Sequence, residues 1–403
     1  MKSRFLYIIL LIILSLLYSI NLRADKNYII LSDSAQISLL TNSPWDKEVY
    51  AMFGHTVIRV NDPHNKIDYA FNYGTFDFNS PNFMGRFVTG ETDYKLAIYD
   101  MYLYLAEYKF REVEVKEQVL NLTQDEKQNI WEALLINAKP ENETYRYNFL
   151  YDNCATRPRD IIEENINGKI NYTLTNKNQT YRDLIHECVN SKPWLRFGID
   201  LVIGGDADKI ITDRQKDFLP KYLNDAYTDA TIKSVDGTER ILVEKNNLLL
   251  KASYIVSNEK VTDTPLIVGC FLLLSAIIIS YFIYKKNKLI VGKIFDTLLF
   301  IIAGIFGCII FFLMFFSEHP CVSPNWNIVW LHPLHLIMGC LFFVKPLAKY
   351  IYYYHFINFV ALLIFLLAWV LIPQQLEAAF IPYILTIGVR SGINVLTVKK
   401  MRK

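Results

Sequence analysis

Two short stretches of the chain hold side chains able to do covalent chemistry together. The first is Phe53-Gly54-His55-Thr56-Val57-Ile58-Arg59-Val60 and the second is Tyr151-Asp152-Asn153-Cys154-Ala155-Thr156-Arg157-Pro158-Arg159-Asp160. A cysteine attacks as its thiolate, and an imidazole that takes up the thiol proton and later returns it supplies both base and acid. The pair His55 and Cys154 therefore points to thiol acyl chemistry. A third polar group should orient the imidazole, and Asn72 is the first choice, with Asp68 close behind because both lie on one face of the strand expected beside His55. Asn153 and Asp152 put polar groups beside a cysteine that packing alone would place among apolar neighbours.

These residues need elements to hold them. Val57–Val60 and Ile67–Tyr73 read as strands joined by a turn at 61–65, so His55 starts one strand and Asn72 sits near the end of the next. Alternation puts Asp68, Ala70 and Asn72 on one face and Tyr69, Phe71 and Tyr73 on the other. Further strands are expected at Tyr94–Tyr99 and Phe110–Val115. Thr123 and Glu126 have capping-box spacing and open a helix whose inner face is Ile130, Trp131, Leu134, Leu135 and Ala138. Another helix follows the cysteine and runs to about Ile166, where Asn167-Gly168 stops it. Pro158 confines its start to Thr156 as N-cap or to Asn153, and either start sets the sulfur near the positive end of the helix. Downstream, Gly204-Gly205 marks a turn, Thr212 and Gln215 cap a short helix ending near Pro220, and Thr238–Ser257 reads as a hairpin or extended linker.

The 403 residues divide by composition. Met1–Ala24 has a basic start, an apolar run from Phe5 to Ile20 and a small residue at its end, which fits either a cleaved secretory signal or an uncleaved anchor. Asp25–Thr264 is polar, and from Pro265 five apolar runs follow, near 265–284, 294–316, 328–344, 355–372 and 379–398, the third being the shortest. Lys285, Lys286, Lys288 and Lys293, then Lys345 and Lys349, then the basic C-terminus, alternate with connections 317–327 and 373–378 that contain no Lys or Arg. The positive-inside rule places the lysine loops in the cytoplasm and residues 25–264 outside the inner membrane, in the periplasm, the side the N-terminal segment also demands. A net charge of +2 and export both argue against nucleic-acid binding. Only Cys154 and Cys188 fall in the polar domain, and in an oxidising compartment a disulfide between them is the alternative to a reactive thiol.

A histidine on an early strand and a cysteine at the start of a later helix is the order of the circularly permuted papain-like hydrolases and acyltransferases, including NlpC/P60 peptidases and the lecithin:retinol acyltransferase group. The match is closer still to the Lnb-type lipoprotein N-acyltransferases of the bacterial envelope. The chain resembles them in Phe53-Gly54-His55-Thr56, Phe71–Phe78, Asp152–Arg157, Gly198–Gly204 and Phe218-Leu219-Pro220, and in its polar-then-membrane layout. That resemblance implies an α+β, permuted papain-like domain (residues 25–264) followed by five transmembrane helices (265–403). It further implies transfer of a fatty acyl chain from a phospholipid, through a Cys154 thioester, to the N-terminal amine of a diacylglyceryl lipoprotein. His55 would serve as base and acid, and no cofactor is needed.

Arg157 and Arg159 are candidates for holding the donor phosphate, since a guanidinium pairs bidentately with such oxygens, with Asn153 beside them; a salt-bridged helix start is the alternative. His186 and Cys188 form a second possible pair, without a further ligand at useful spacing for zinc. Glu318-His319-Pro320, Asn325-Trp326-Asn327, Trp330 and His332 crowd the outer end of the second and third runs, where they can meet a lipid head group. Two other functions use the same residues: a cell-wall endopeptidase of NlpC/P60 type with water as acceptor, and a non-enzymatic membrane-tethered assembly module.

Overall fold

The computed structural model describes residues 29–77, 79–173, 175, 177–253, 256, 261–286 and 289–401. The N-terminal segment Met1–Ala24 lies outside them. An antiparallel sheet of seven strands forms the centre of the N-terminal domain, in the order β10-β5-β1-β2-β3-β4-β6. Its strands are β1 (Gln36–Asn42), β2 (His55–Asp62), β3 (Ile67–Thr75), β4 (Asp93–Asp100), β5 (Val115–Leu120), β6 (Thr144–Arg146) and β10 (Val243–Leu250). A small second sheet joins β7 (Gly168–Asn171), β8 (Thr231–Ser234) and β9 (Glu239–Ile241).

Both faces of the main sheet are covered, so the alternation along β2 and β3 sorts residues between two apolar clusters. Ile58, Val60, Phe71 and Tyr73 face the Gln124–Asn137 and Thr156–Glu164 helices, meeting Ile130, Trp131, Leu134, Ile161 and Ile162. Val57 and Ala70 point the other way, onto Met101, Tyr104 and Tyr108 of the Met101–Phe110 helix. That helix corrects the expected strand at 110–115. Met101, Tyr104 and Tyr108 recur at helical spacing on one buried face, Glu112 takes a left-handed φ of 59° that ends the run, and the strand begins only at Val115. The capping box is formed as expected, with the Thr123 hydroxyl accepting from Glu126 N and the Glu126 carboxylate accepting from Thr123 N. Thr212 and Gln215 cap a turn that closes at Lys216, and Pro220 opens the following helix rather than ending this one. The stretch after Thr238 supplies β9 and then the sheet's edge strand β10, paired to β5.

Four helices in the C-terminal domain are long and apolar enough to cross a membrane: Thr264–Lys285, Ile290–Phe316, Lys345–Leu367 and Ala378–Thr397. The third apolar run differs from the expectation of a full spanning helix. Its α-helix, Leu334–Leu341, has eight residues, or about 12 Å against the roughly 30 Å of a hydrocarbon core. It packs backbone to backbone on the Leu289–Phe316 helix through glycines: a Cβ on Gly304 would stand 2.1 Å from Leu336 N, and one on Gly307 would stand 2.5 Å from the His332 carbonyl carbon. Inside the bundle Arg390 pairs with Asp296 at 2.6 and 2.9 Å and donates to Ser280 at 2.7 Å, so these charges are satisfied within the protein.

The two domains are bolted together. The Pro193–Val202 helix sends Phe197 and Leu201 into the apolar core of the membrane bundle. Asn325 Nδ2 donates to the Leu201 carbonyl at 2.9 Å, Asn327 Nδ2 to the Asp200 carbonyl at 3.0 Å, and Arg196 pairs with Glu377 at 2.8 Å. Arg146 meets Glu318 at 3.2 Å. Both connections that lack Lys and Arg thus touch the N-terminal domain, as the charge pattern requires.

Candidate functional site

His55 opens β2, and Gly54 before it has φ +77° with its Cα so close to β1 that a Cβ would lie 2.8 Å from the Asn42 carbonyl. Antiparallel pairing sets Ile58 opposite Phe71, which carries the start of β2 alongside the end of β3. There the Asn72 Oδ1 lies 2.6 Å from His55 Nε2. An amide oxygen only accepts, so Nε2 carries the hydrogen and Nδ1 is left to the sulfur. Asp68, the other candidate for this role, is engaged elsewhere, paired with Arg59 through both oxygens at 2.7 and 2.9 Å.

Cys154 enters from the other side. The Asn153 side chain builds the turn that presents it: Oδ1 accepts from Ala155 N at 2.8 Å and Thr156 N at 3.0 Å, while Nδ2 donates to the carbonyls of Phe149 at 2.7 Å and Phe218 at 2.9 Å. Thr156 Oγ1 accepts from Asn153 N at 2.8 Å, and the Thr156–Glu164 helix begins directly after. Asn153 is buried, and its side-chain bonds serve the turn that carries Cys154. Gly74, with φ +105°, adjoins both partners: a Cβ there would be 3.5 Å from Cys154 Cβ and 3.6 Å from His55 Cε1.

The electrostatics favour a thiolate facing an imidazolium. Burial disfavours both charges, but each is opposed by the other and by their shared hydrogen bond, so the His55 pKa is raised and the Cys154 pKa is lowered. Asn72 adds to the first effect, and the backbone N–H groups of Thr56 and Cys154 add to the second. Both Cys154 and Cys188 are free thiols, not a disulfide. Burial pushes the Cys188 thiol up to about 12, and His186 turns away to Asp200, 2.9 Å from each carboxylate oxygen, in a cluster shared with the buried Arg182. No second catalytic pair forms there.

Both arginines have partners within the protein. Arg157 pairs through Nε and Nη2 with Asp152 at 2.6 and 2.7 Å and lies 3.6 Å over the Tyr145 ring. Arg159 is buried, with its guanidinium on Asp160 at 2.9 Å and the Arg214 carbonyl at 2.9 Å. Both guanidinium groups are thus engaged within the protein, by acidic neighbours close in sequence and by Tyr145 and the Arg214 carbonyl from farther along it. Asn325 and Asn327, expected near a head group, serve the domain junction. His319 instead reaches the Phe87 carbonyl at 2.9 Å.

Three features escaped sequence reading. Gly74 stands in a Tyr-Gly-Thr stretch whose glycine was the available signal. Glu107 lies in the field of His55 and raises its pKa further, placed there by the Met101–Phe110 helix. The rings of Tyr94 and Tyr147, which line the cavity at Cys154, stack at 4.0 Å although they come from distant stretches of the chain. On the other flank of His55 a cavity of about 210 Å³ is lined by Asn72, Trp45, Glu107 and Arg111.

Residues 27–187 match the family model of the Lnb N-terminal periplasmic domain, and residues 257–402 match that of the Lnb transmembrane domain. His55, Asn72 and Cys154 all fall inside the first match. No curated protein and no solved structure matches the chain.

Proposed function

Since the chain belongs to the Lnb-type family of periplasmic-plus-transmembrane proteins, we propose that it moves a fatty acyl chain from a phospholipid to the N-terminal amine of diacylglyceryl lipoproteins. One observation carries the reading: a thiol and an imidazole, the latter bonded to an orienting amide, line a cavity that shares its aromatic wall with a larger one reaching the outer loop of the membrane domain. A hydrolase of soluble substrates has no need of that continuity. The order of His55 on a strand and Cys154 at a later helix start fits a permuted papain-like arrangement, and the inner membrane is where donor and acceptor both reside.

The chemistry divides into two displacements. The Cys154 thiolate attacks the donor's ester carbonyl, forming a carbon–sulfur bond. The intermediate then collapses by breaking the ester C–O bond, and the His55 imidazolium gives its proton to the departing lysophospholipid oxygen. Neutral His55 next takes a proton from the lipoprotein α-amine as that nitrogen attacks the thioester. The new C–N bond replaces C–S, and thiolate and imidazolium are restored together. Asn72 keeps the imidazole in the tautomer that faces sulfur throughout. The cavity on the far flank of His55, with Glu107 in its wall, gives the acceptor, arriving as its neutral amine, an approach to the base that takes the one proton released when the amide forms.

Mass spectrometry of mature lipoprotein N-termini tests the proposal in cells carrying the native chain or Cys154→Ala. Diacylated lipoproteins with a free amine should accumulate in the variant. Unchanged triacylation alongside altered murein cross-peptides would replace this reading with that of an endopeptidase.

A further inference from the structure

The cavity at Cys154 does not end at the sulfur. It shares Tyr50, Phe53, Phe76, Tyr94, Tyr147 and Phe149 with a larger one of about 500 Å³ that runs past the Phe83–Thr89 helix to Glu318–Pro320, in the connection after the second span. Rings mark the route in sequence: Tyr94 lies 5.1 Å from Phe76, Phe76 lies 6.1 Å from Phe83, Phe83 lies 6.2 Å from Phe87, and Phe87 lies 6.3 Å from His319. The wall is aromatic and aliphatic over nearly its whole length.

The outer end of this route lies at the membrane. Glu318 N donates to the Thr89 carbonyl at 2.7 Å and His319 bonds the Phe87 carbonyl at 2.9 Å, which pins the Phe83–Thr89 helix to the end of the span that closes at Phe316. Yet this short helix leaves Met84 69 %, Phe87 48 % and Val88 46 % exposed. Three large apolar side chains on one turn and a half beside a membrane span make a surface that suits lipid, not water.

We propose, on the reading that Cys154 carries an acyl group, that this cavity holds the donor phospholipid's fatty chain, which enters at Met84 and Phe87 and lies along Phe83 and Phe76 with its carbonyl at the sulfur. The donor is the required occupant because the chain attached to the attacked carbonyl is the one that must lie in a space continuous with Cys154. The acceptor's own chains hang from ester oxygens remote from its reacting amine. Each methylene seated in such a space is worth about fourfold in occupancy, so the outer residues should select for tail length.

Thiol alkylation of the full-length protein in detergent tests this without requiring turnover. Ethyl- and dodecyl-bearing maleimides are compared on Cys154 by peptide mass spectrometry, for the native chain and for Met84→Glu, Phe87→Glu and the conservative Met84→Leu. Partition of the reagent into micelles is common to all the proteins and cancels in the ratios. The expected result is a dodecyl rate lowered about tenfold or more in the two glutamate variants, with the ethyl rate unchanged and Met84→Leu like the native chain. Equal dodecyl rates across all four proteins overturn the assignment. Because Met84 is mostly exposed, its substitution leaves the core intact, and the ethyl rate reports that the thiolate is still in place. Tail selectivity without lipoprotein N-acylation in cells would sink acyl transfer and keep the cavity; N-acylation without tail selectivity would do the reverse.

Discussion

The thiolate–imidazolium pair yields a prediction about how Cys154 alkylation varies with pH. In the native chain the Cys154 pKa is lowered from the ordinary thiol value and the His55 pKa is raised from the ordinary imidazole value, and both shifts favour the thiolate–imidazolium form. Removing the imidazole in His55→Ala deletes the charge and the hydrogen bond that offset burial. Desolvation is then opposed only by the backbone N–H groups of Thr56 and Cys154, and the Cys154 midpoint moves in the alkaline direction. Asn72→Ala removes a 2.6 Å hydrogen bond to a charged ring. Neutral and protonated rings both donate through Nε2, but the charged ring gains more from the bond, so its loss moves the His55 pKa downward and weakens the imidazolium. The assay is iodoacetamide labelling from pH 5 to 10 with the Cys154 peptide followed by mass spectrometry. Cys188, held up at about 12, and Cys321, also raised, act as internal controls that stay unreactive near neutrality. If the His55→Ala profile superimposes on that of the native chain, the pairing argument is wrong.

Three further outcomes follow from the same geometry. Gly74→Ala, at φ +105° and with its methyl 3.5 Å from Cys154 Cβ and 3.6 Å from His55 Cε1, should cost about 1–2 kcal/mol in thermal or denaturant unfolding and slow Cys154 labelling, because backbone strain at this position is relieved at the expense of the pair's alignment. Asn153→Ala strips four hydrogen bonds from a buried turn and should lower stability by about 2–4 kcal/mol, with circular dichroism melts and Cys154 labelling falling together. Asp217 is buried and its pKa is pushed up to about 7, so its contribution is fully present below the unfolded value of 3.8 and is lost as pH rises through 7. Asp217→Asn should therefore match the native chain near pH 4 and exceed its stability by an amount on the order of 1–4 kcal/mol at pH 8; parallel curves at all pH values would refute that account.

Local rules made much of this site legible. His55 at a strand start, Asn72 on the matching face of its neighbour and the Thr123–Glu126 capping box depend on periodicity and on side chains three residues apart, which a sequence displays directly. Arg157 and Arg159 show where such reading stops. Whether a guanidinium is free depends on partners such as Tyr145 and the Arg214 carbonyl, set by tertiary packing that residue spacing does not encode. The strand expected at Phe110–Val115 failed for a related reason: alternation of Val113 and Val115 suggested it, but the Met101–Phe110 helix, packed on the sheet through Tyr104 and Tyr108, takes up the chain to Phe110 and delays the strand to Val115. In the membrane domain the third apolar run has the hydropathy of a span, but glycines at 304 and 307 let it lie so close to its neighbour that a short helix suffices.

The junction made by Asn325, Asn327 and the Arg196–Glu377 pair fixes the height of the sulfur above the lipid. On the acyl-transfer reading proposed above, a head group and its reacting bond would be brought to the protein by the bilayer, so encounter would become a search in two dimensions. Its rate would scale with mole fraction at the surface and with lateral viscosity, and stirring or bulk dilution would leave it untouched. A clamp that looks merely architectural would thus set the dimensionality in which this thiol meets its partners.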